Sequence, residues 1–211
     1  MAKTTLLYRP VGLIEAKLIH EAGARRFPPR LPEQPIFYPV MNEAYAEEIA
    51  VKWNTKSPPG FAGFVTRFAV DTAYQAQFEE QVVGAKAVHR ELWVPAEQLD
   101  EFNRHIVGII HFSKAFYGDA YQGLPATAQL AERTAAEQLP VLNTLIEDAT
   151  EFTSALNANQ VVVQLNYAYW QQRDFTTDGI DALRKEFILN RIRQYFRERP
   201  EPVALVGLKE P

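Results

Sequence analysis

A run of prolines early in the chain limits the fold more than any other feature of this sequence. Prolines stand at positions 28, 29, 32, 35 and 39, and each of them lacks a backbone N–H and fixes φ. This stretch can neither form a helix nor lie in the middle of a sheet. We therefore expect an extended loop from Arg25 to Pro39, with the regular elements of the first half before and after it.

Short strands and helices are expected on both sides of this loop. The expected strands are 4–11, 36–38, 61–70, 91–94 and 107–112, the last extending to 118. The expected helices are 14–22, 42–53, 71–78 and 95–105. Because these elements do not repeat as βαβ units, the first part of the chain is predicted to be an α+β fold, a small mixed or antiparallel sheet with helices.

Apolar residues that recur every four positions predict the first two helices. The first series is Ile14, Leu18 and Ala22, and the second is Tyr45, Ile49 and Trp53. Gly23 can adopt the left-handed conformation that ends a helix, and Asn42 is expected to cap the start of the next one. Pro95 is expected to be the first residue of a later helix, where its missing N–H is not needed.

The character of the chain changes after Gly123-Leu124-Pro125. Residues 128–156 are rich in alanine and predict helix, with Pro140 at a kink or junction. A final long helix is predicted from an apolar stripe formed by Ile180, Leu183, Phe187, Ile188, Ile192, Tyr195 and Phe196. Residues 160–170 alternate as a strand would, but their helical neighbours favour a helix. We therefore expect an α+β module at 1–123 and a mostly helical module at 124–211.

Composition excludes several classes of protein. The sequence contains no cysteine, so disulfides, a thiol nucleophile and a zinc–thiolate site are all excluded. The apolar stretch at the N-terminus is too short for a signal sequence, and no apolar run approaches the roughly 20 residues of a membrane helix. We therefore expect a cytoplasmic protein without a membrane partner. The formal charge of −4 gives no overall case for binding nucleic acid, which favours basic surfaces.

Side chains that suit nucleotide chemistry occur at the ends of predicted strands. Arg9 ends the first strand, Phe37 and Tyr38 precede the second helix, and Glu91 opens a late strand. This order resembles the ADP-ribosyltransferase-like fold. Residues 4–118 also resemble short bacterial proteins labelled as related to ADP-ribosylation and crystallin J1. The stretches that carry this resemblance are Leu7–Gly12, Phe27–Val40 and Glu91–Glu97.

The resemblance implies a role for each of these side chains. Arg9 would bind a phosphate or ribose of NAD through its planar guanidinium. Tyr38, together with Phe37, would stack on the nicotinamide. Glu91 would be the catalytic residue, since its carboxylate would stabilise the positive charge that develops on the ribose as nicotinamide leaves. NAD would then be the co-substrate, and ADP-ribose would pass to an unknown acceptor.

The residues alone leave other interpretations open. Arg9 is also suited to an ion pair. Tyr38 is also suited to a core position with its hydroxyl in solvent, and Glu91 is also suited to the solvated end of a strand. The first module would then be a catalytically inert interaction module, such as an immunity, antitoxin or phage-associated factor. The helical module is expected to contact a protein partner or a second copy of the chain.

Clusters of charged residues and histidines give weaker indications. Arg25, Arg26 and Arg30 of the proline loop suit a phosphate or an acidic partner, although we favour the interpretation that they hydrate the loop. The last helix carries several arginines, but acidic residues dilute them, so a nucleic-acid partner is not expected. The histidines at 89, 105 and 111 do not have the spacing of a metal site, and none is expected.

Overall fold

A computed structural model of the chain describes residues 3–84, 88–199 and 205–206. The chain divides into two compact units, the first ending at Gly118 and the second beginning at Asp119. The change of character in the sequence suggested a boundary after residue 123. The protein is mixed α+β, with eight α-helices and small antiparallel sheets in its described part.

The first unit contains all the strands that the structure describes. They are β1 (Thr4–Gly12), β2 (Ile36–Phe37), β3 (Ala62–Asp71), β4 (Glu80–Val82), β5 (Arg90–Leu92), β6 (Val94–Pro95) and β7 (Ile106–Tyr117). Its helices are α1 (Leu13–Glu21), α2 (Glu43–Lys52), α3 (Thr72–Gln75) and α4 (Leu99–Arg104), with 3₁₀ turns at Asn54–Lys56 and Ala96–Gln98. The proline-rich stretch before β2 is a loop, as the sequence predicts.

Strand β3 lies at the centre of the main sheet. It pairs antiparallel with β1 on one side and with β7 on the other. The outer side of β1 is bridged by Val40, which pairs with Tyr8 and also with Glu91 of β5. These two bridges connect β1 to the β4–β5 hairpin, and they bring the segment after the proline loop next to both strands.

The two faces of this sheet bury different kinds of side chain. Small residues of α2, Ala46 and Ala50, pack on one face with Val40 and Val65. Aromatic rings fill the other face, where Phe27 lies 4.8 Å from both Phe37 and Phe68, and Phe37 lies 5.4 Å from Phe102, measured between ring centroids. Since strand side chains alternate between faces, β1 directs alternate residues toward this aromatic cluster.

The helices α1 and α2 form where the apolar periodicity predicts them, but the apolar series does not mark their buried faces. In α1 the buried residues are Leu13, Ala16 and Ile19, whereas Ile14 and Leu18 are exposed. In α2 the buried residues are Ala46 and Ala50, and Trp53 lies just beyond the helix with 56% of its surface exposed. Gly23 has a φ of 65° after α1, and the Asn42 side chain accepts the Ala44 N–H, as predicted.

The prediction that Pro95 begins a helix is wrong. Pro95 is extended, with φ −57° and ψ 144°, and it pairs with Ile36 in the short β2–β6 ladder. A proline can occupy such a two-residue ladder because no further strand needs its N–H. The expected strand at 91–94 is divided between β5 and β6, which pair with different partners, and the sequence analysis did not predict β4.

The regular elements described in the second unit are all helices. Its helices are α5 (Ala135–Leu145), α6 (Ala149–Ala158), α7 (Gln160–Gln172) and α8 (Ala182–Arg197), with 3₁₀ turns at Ala128–Leu130 and Thr176–Asp178. The helix favoured over a strand at 160–170 is therefore confirmed. Pro140 lies inside α5, so it does not mark a junction between helices.

A single apolar cluster holds the second unit together. It includes Leu139 of α5, Phe152 of α6, Trp170 of α7 and Ile192 of α8. Three polar side chains buried in this unit form a chain of hydrogen bonds: the Asn166 amide donates to Gln138 at 2.8 Å, and the Tyr121 hydroxyl donates to Asn166. In the part of the chain that the structure describes, no helix combines the length and the apolar character needed to cross a lipid bilayer.

Candidate functional site

A cavity of about 420 Å³ opens in the first unit beside the outer edge of β1. Within the described residues, this edge of β1 is paired only at Tyr8, through the bridge to Val40. The cavity is lined by Arg9, Pro10, Glu15, Arg30, Gln34, Tyr38, Val40, Ile49, Asn54 and Glu91. Its walls therefore come from the first strand, the two helices that follow, the proline loop and β5.

Arg9 lies in the wall of this cavity, and its guanidinium is held in place from several sides. Alternation along β1 turns it toward the aromatic face, with its guanidinium 4.6 Å above the Phe37 ring. Its Nε and Nη2 donate to the two carboxylate oxygens of Glu15 at 2.8 and 3.2 Å. Its Nη1 donates to the Tyr38 carbonyl oxygen at 3.2 Å. The side chain is only 7% exposed, so Glu15 neutralises a charge that is almost fully buried.

Glu91 lines the cavity from β5 and is held by two aromatic side chains. The Trp93 indole N–H donates to its Oε1 at 2.7 Å, and the Tyr45 hydroxyl contacts its Oε2 at the longer distance of 3.4 Å. Burial raises the pKa of the Tyr45 hydroxyl, and the nearby negative charge of Glu91 raises it further. Both neighbours are hydrogen-bond donors, so they orient the two oxygens of the Glu91 carboxylate.

Tyr38 and Phe37 have different environments although they are adjacent. Phe37 is fully buried in the aromatic cluster and does not line the cavity. Tyr38 is exposed at the cavity, and its ring meets that of Trp93 edge to face with 6.2 Å between centroids. Of the two aromatic residues suggested by the sequence, Tyr38 is therefore the one within reach of a bound molecule.

Arg30 contributes a second guanidinium to the cavity from the proline loop. Its Nε donates to the Ile36 carbonyl oxygen at 3.0 Å, and its Nη2 donates to Gln34 Oε1 at 2.8 Å. A role in hydrating the loop was expected for this residue, but Arg30 is half-buried and lines the same cavity as Arg9.

The cavity presents a defined set of chemical groups. It has two guanidinium groups, two carboxylates and one accessible phenol, over a floor that includes Val40 and Ile49. Such walls suit a small polar molecule that carries hydroxyl groups, an anionic group and a flat ring. Among the described residues, no three histidine, aspartate or glutamate side chains lie close enough together to hold a metal ion.

The sequence suggested part of this site and missed the rest. Arg9, Tyr38 and Glu91 lie around one cavity, as the order of motifs implies. The contacts of Glu15 and Trp93 were not expected. Trp93 could have been found, because residues two apart on a strand share a face. The pairing of Arg9 with Glu15 depends on the turn from β1 into α1, and no sequence periodicity reports that geometry.

Comparisons with protein-family models, with curated proteins and with solved structures find no significant match for this chain. The geometry of the cavity and the chemistry of the side chains around it are therefore the basis for assigning a function.

Replacing Glu15 with glutamine is expected to destabilise the first unit by about 2 kcal/mol. Removing one partner of a fully buried ion pair costs about 3–5 kcal/mol, and the cost is smaller here because the Glu15 side chain is 21% exposed. The free energy of unfolding, from urea denaturation followed by circular dichroism, measures the effect.

Glu21→Gln is the matched control on the same helix. Glu21 pairs with Lys17 at 2.6 Å, but both side chains are well exposed. Such a surface pair contributes about 0.5 kcal/mol or less. Equal losses of stability in the two variants would contradict the structural role assigned to the Arg9–Glu15 pair.

Proposed function

We propose that the first unit binds NAD or a related nucleotide in the cavity beside β1, as an ADP-ribosyltransferase-like protein. The observation that carries this proposal is the convergence of Arg9, Tyr38 and Glu91, from three distant segments, on one cavity. The resemblance over residues 4–118 names the same three side chains for that chemistry.

The size and the lining of the cavity support a nucleoside-sized ligand. Cavities that take small molecules usually measure about 300–1,000 Å³, and this one measures about 420 Å³. That volume suits the nicotinamide ribose half of NAD, with the remainder of the dinucleotide extending outward. Tyr38 would contact the nicotinamide ring, and the neighbouring Trp93 would limit the orientation of the Tyr38 ring.

Glu91 is the residue proposed to act on the ribose. With Trp93 and Tyr45 orienting its two oxygens, the carboxylate would accept a hydrogen bond from a ribose hydroxyl. The same negative charge would stabilise the cationic ribose carbon as the bond to nicotinamide breaks. Arg9 would hold the wall beside Tyr38 in place, since its guanidinium already binds Glu15 and the Tyr38 carbonyl.

Replacing Glu91 with glutamine is expected to slow nicotinamide release from NAD by about 100-fold. Loss of one preorganised electrostatic group typically lowers kcat by about this factor. NAD binding is measured by calorimetry and nicotinamide release by chromatography. Glu97→Gln is the control, because Glu97 is an exposed carboxylate a few residues away and does not line the cavity.

Two results would count against this proposal. If the wild-type protein gives no calorimetric signal with NAD at millimolar concentration, the cavity is not an NAD site. If NAD binds but Glu91→Gln and Glu97→Gln release nicotinamide at the wild-type rate, Glu91 has no catalytic role.

The second candidate is a catalytically inert protein-interaction module. It is favoured by apolar side chains left exposed in each unit, including Leu31 and Trp53 in the first unit and Leu183 and Phe187 of α8 in the second. Exposed aromatic and aliphatic residues are typical of surfaces that bind other proteins. Absence of NAD binding, together with one stoichiometric protein partner, would favour this alternative.

A further inference from the structure

The two arginines of the cavity differ in how their charge is balanced. Arg9 is bound by both oxygens of Glu15. Arg30 donates only to the neutral oxygens of Ile36 and Gln34, and no carboxylate among the described residues lies within ion-pair distance of it. Arg30 therefore supplies a positive charge in the cavity wall that no carboxylate contacts directly.

The position of Arg30 is fixed before any ligand arrives. Prolines restrict the loop that carries it, and the Asn103 side chain ties Phe27 through hydrogen bonds of 2.9 and 3.0 Å. At the end of the loop, Ala96 N–H donates to the Pro35 carbonyl oxygen at 2.8 Å. Neither hydrogen bond of Arg30 uses its Nη1. The N–H groups of Nη1 therefore remain for another acceptor, and binding it needs no large loss of side-chain entropy.

The electrostatic surroundings of Arg30 favour an anion. Burial lowers the pKa of the Arg30 guanidinium and the positive charge of Arg9 lowers it further, and these two effects outweigh the opposing effect of the Glu15 carboxylate. The group stays protonated at neutral pH, because an arginine is not deprotonated in proteins. A negatively charged ligand would relieve this unfavourable environment.

We infer that Arg30 forms an anion subsite through which the cavity selects a phosphorylated ribonucleoside over the same nucleoside without its phosphate. This inference rests on the proposed function, since it assigns the phosphate of the proposed ligand to Arg30. The Nε and Nη2 donors of Arg9 are already bound by Glu15, so Arg9 helps to form the cavity wall. A guanidinium with free donors suits phosphate because it offers several parallel N–H groups to the phosphate oxygens.

The test compares two probes that differ by one phosphate, nicotinamide mononucleotide and nicotinamide riboside. By calorimetry, the wild-type protein is expected to bind the mononucleotide roughly 10- to 100-fold more tightly, the range expected for a charge-assisted hydrogen bond. Arg30→Gln is expected to remove this preference, because mononucleotide binding falls to about the level of riboside binding. Arg25→Gln is the control, because Arg25 is an exposed arginine of the same loop and does not line the cavity. This variant is expected to keep the preference for the mononucleotide.

A competition experiment keeps the inference testable if Arg30→Gln disturbs the loop. Pyrophosphate is expected to compete with the mononucleotide for the wild-type protein and not with the riboside. The inference is overturned if the wild type binds both probes equally, or if pyrophosphate fails to compete while the mononucleotide binds. Equal binding of both probes would leave the proposed function standing, whereas binding of neither probe, nor of NAD, would remove both.

Discussion

Replacing Trp170 with alanine is expected to destabilise the second unit by about 3–5 kcal/mol, the usual cost of removing a buried tryptophan. Trp170 is fully buried in the cluster that joins all four helices of this unit. Its indole N–H also donates to the Ala135 carbonyl oxygen at 2.7 Å. Alanine would leave a cavity in the cluster and would remove the hydrogen bond from the indole to the start of α5. Since small domains are stable by only about 5–15 kcal/mol, much of the stability of the unit depends on this residue.

Two further variants separate the causes of this effect. Trp170→Phe keeps most of the ring and loses the hydrogen bond, so it is expected to cost about 1–3 kcal/mol. Leu183→Ala is the surface control, because Leu183 is 84% exposed on α8 and should change stability by about 0.5 kcal/mol or less. Urea unfolding followed by circular dichroism measures all three. A loss below about 1 kcal/mol for Trp170→Ala would contradict the packing described for α7.

Local signals in the sequence account for most element positions. The cap of α2 is the clearest example, since Asn42 accepts the Ala44 N–H as predicted. This contact forms between residues two apart, so the sequence alone reports it. Pro95 was misassigned because the same residue type suits both a helix start and an edge strand, and only the partner strand β2 decides between them.

The buried faces of α1 and α2 could not be predicted in the same way. Periodicity identifies a helix, but the partner surface decides which stripe of the helix is buried. In α2 the sheet accepts Ala46 and Ala50 and leaves Trp53 outside. The reason is a close approach of helix and strand, which requires small residues on both. A hydrophobic series read from the sequence favours large residues and therefore selects the wrong stripe.

The candidate site shows the same limit for side chains. The order of Arg9, Tyr38 and Glu91 along the chain suggested their association, and the bridges of Val40 to Tyr8 and to Glu91 bring their segments together. Those bridges are long-range pairings that a single sequence does not report. The charge balance between Arg9, Glu15 and Arg30 also depends on side-chain positions. For this reason, only the structure shows that Arg9 is paired with a carboxylate and that Arg30 is not.

Replacing Gly63 with alanine is expected to destabilise the first unit by about 3 kcal/mol, at the upper end of the range for overpacking. A Cβ at Gly63 would lie 2.4 Å from the Ala50 carbonyl oxygen and 2.8 Å from the Ala50 Cα. These are backbone atoms of α2, so they can yield only if the whole helix moves away from β3. Such a shift would also loosen the Val40 and Val65 contacts on that face and disturb the cavity that α2 helps to line.

Gly12→Ala is the matched control, because Gly12 is the cross-strand partner of Gly63. A Cβ there would meet its nearest atom, in the side-chain amide of Asn54, at 3.5 Å, which is ordinary contact. Both substitutions restrict the unfolded chain equally, an effect that favours folding by about 0.4–1 kcal/mol. The difference between the two variants therefore isolates the clash.

The measurement uses the positions of the three tryptophans. In a Trp170→Phe background the remaining residues, Trp53 and Trp93, both belong to the first unit, so fluorescence during urea unfolding reports that unit alone. Gly63→Ala should lower the urea midpoint well below that of Gly12→Ala, with an unchanged slope. If the two variants unfold together, α2 does not approach β3 as closely as Ala46 and Ala50 imply, and the cavity wall that depends on that contact would need another support.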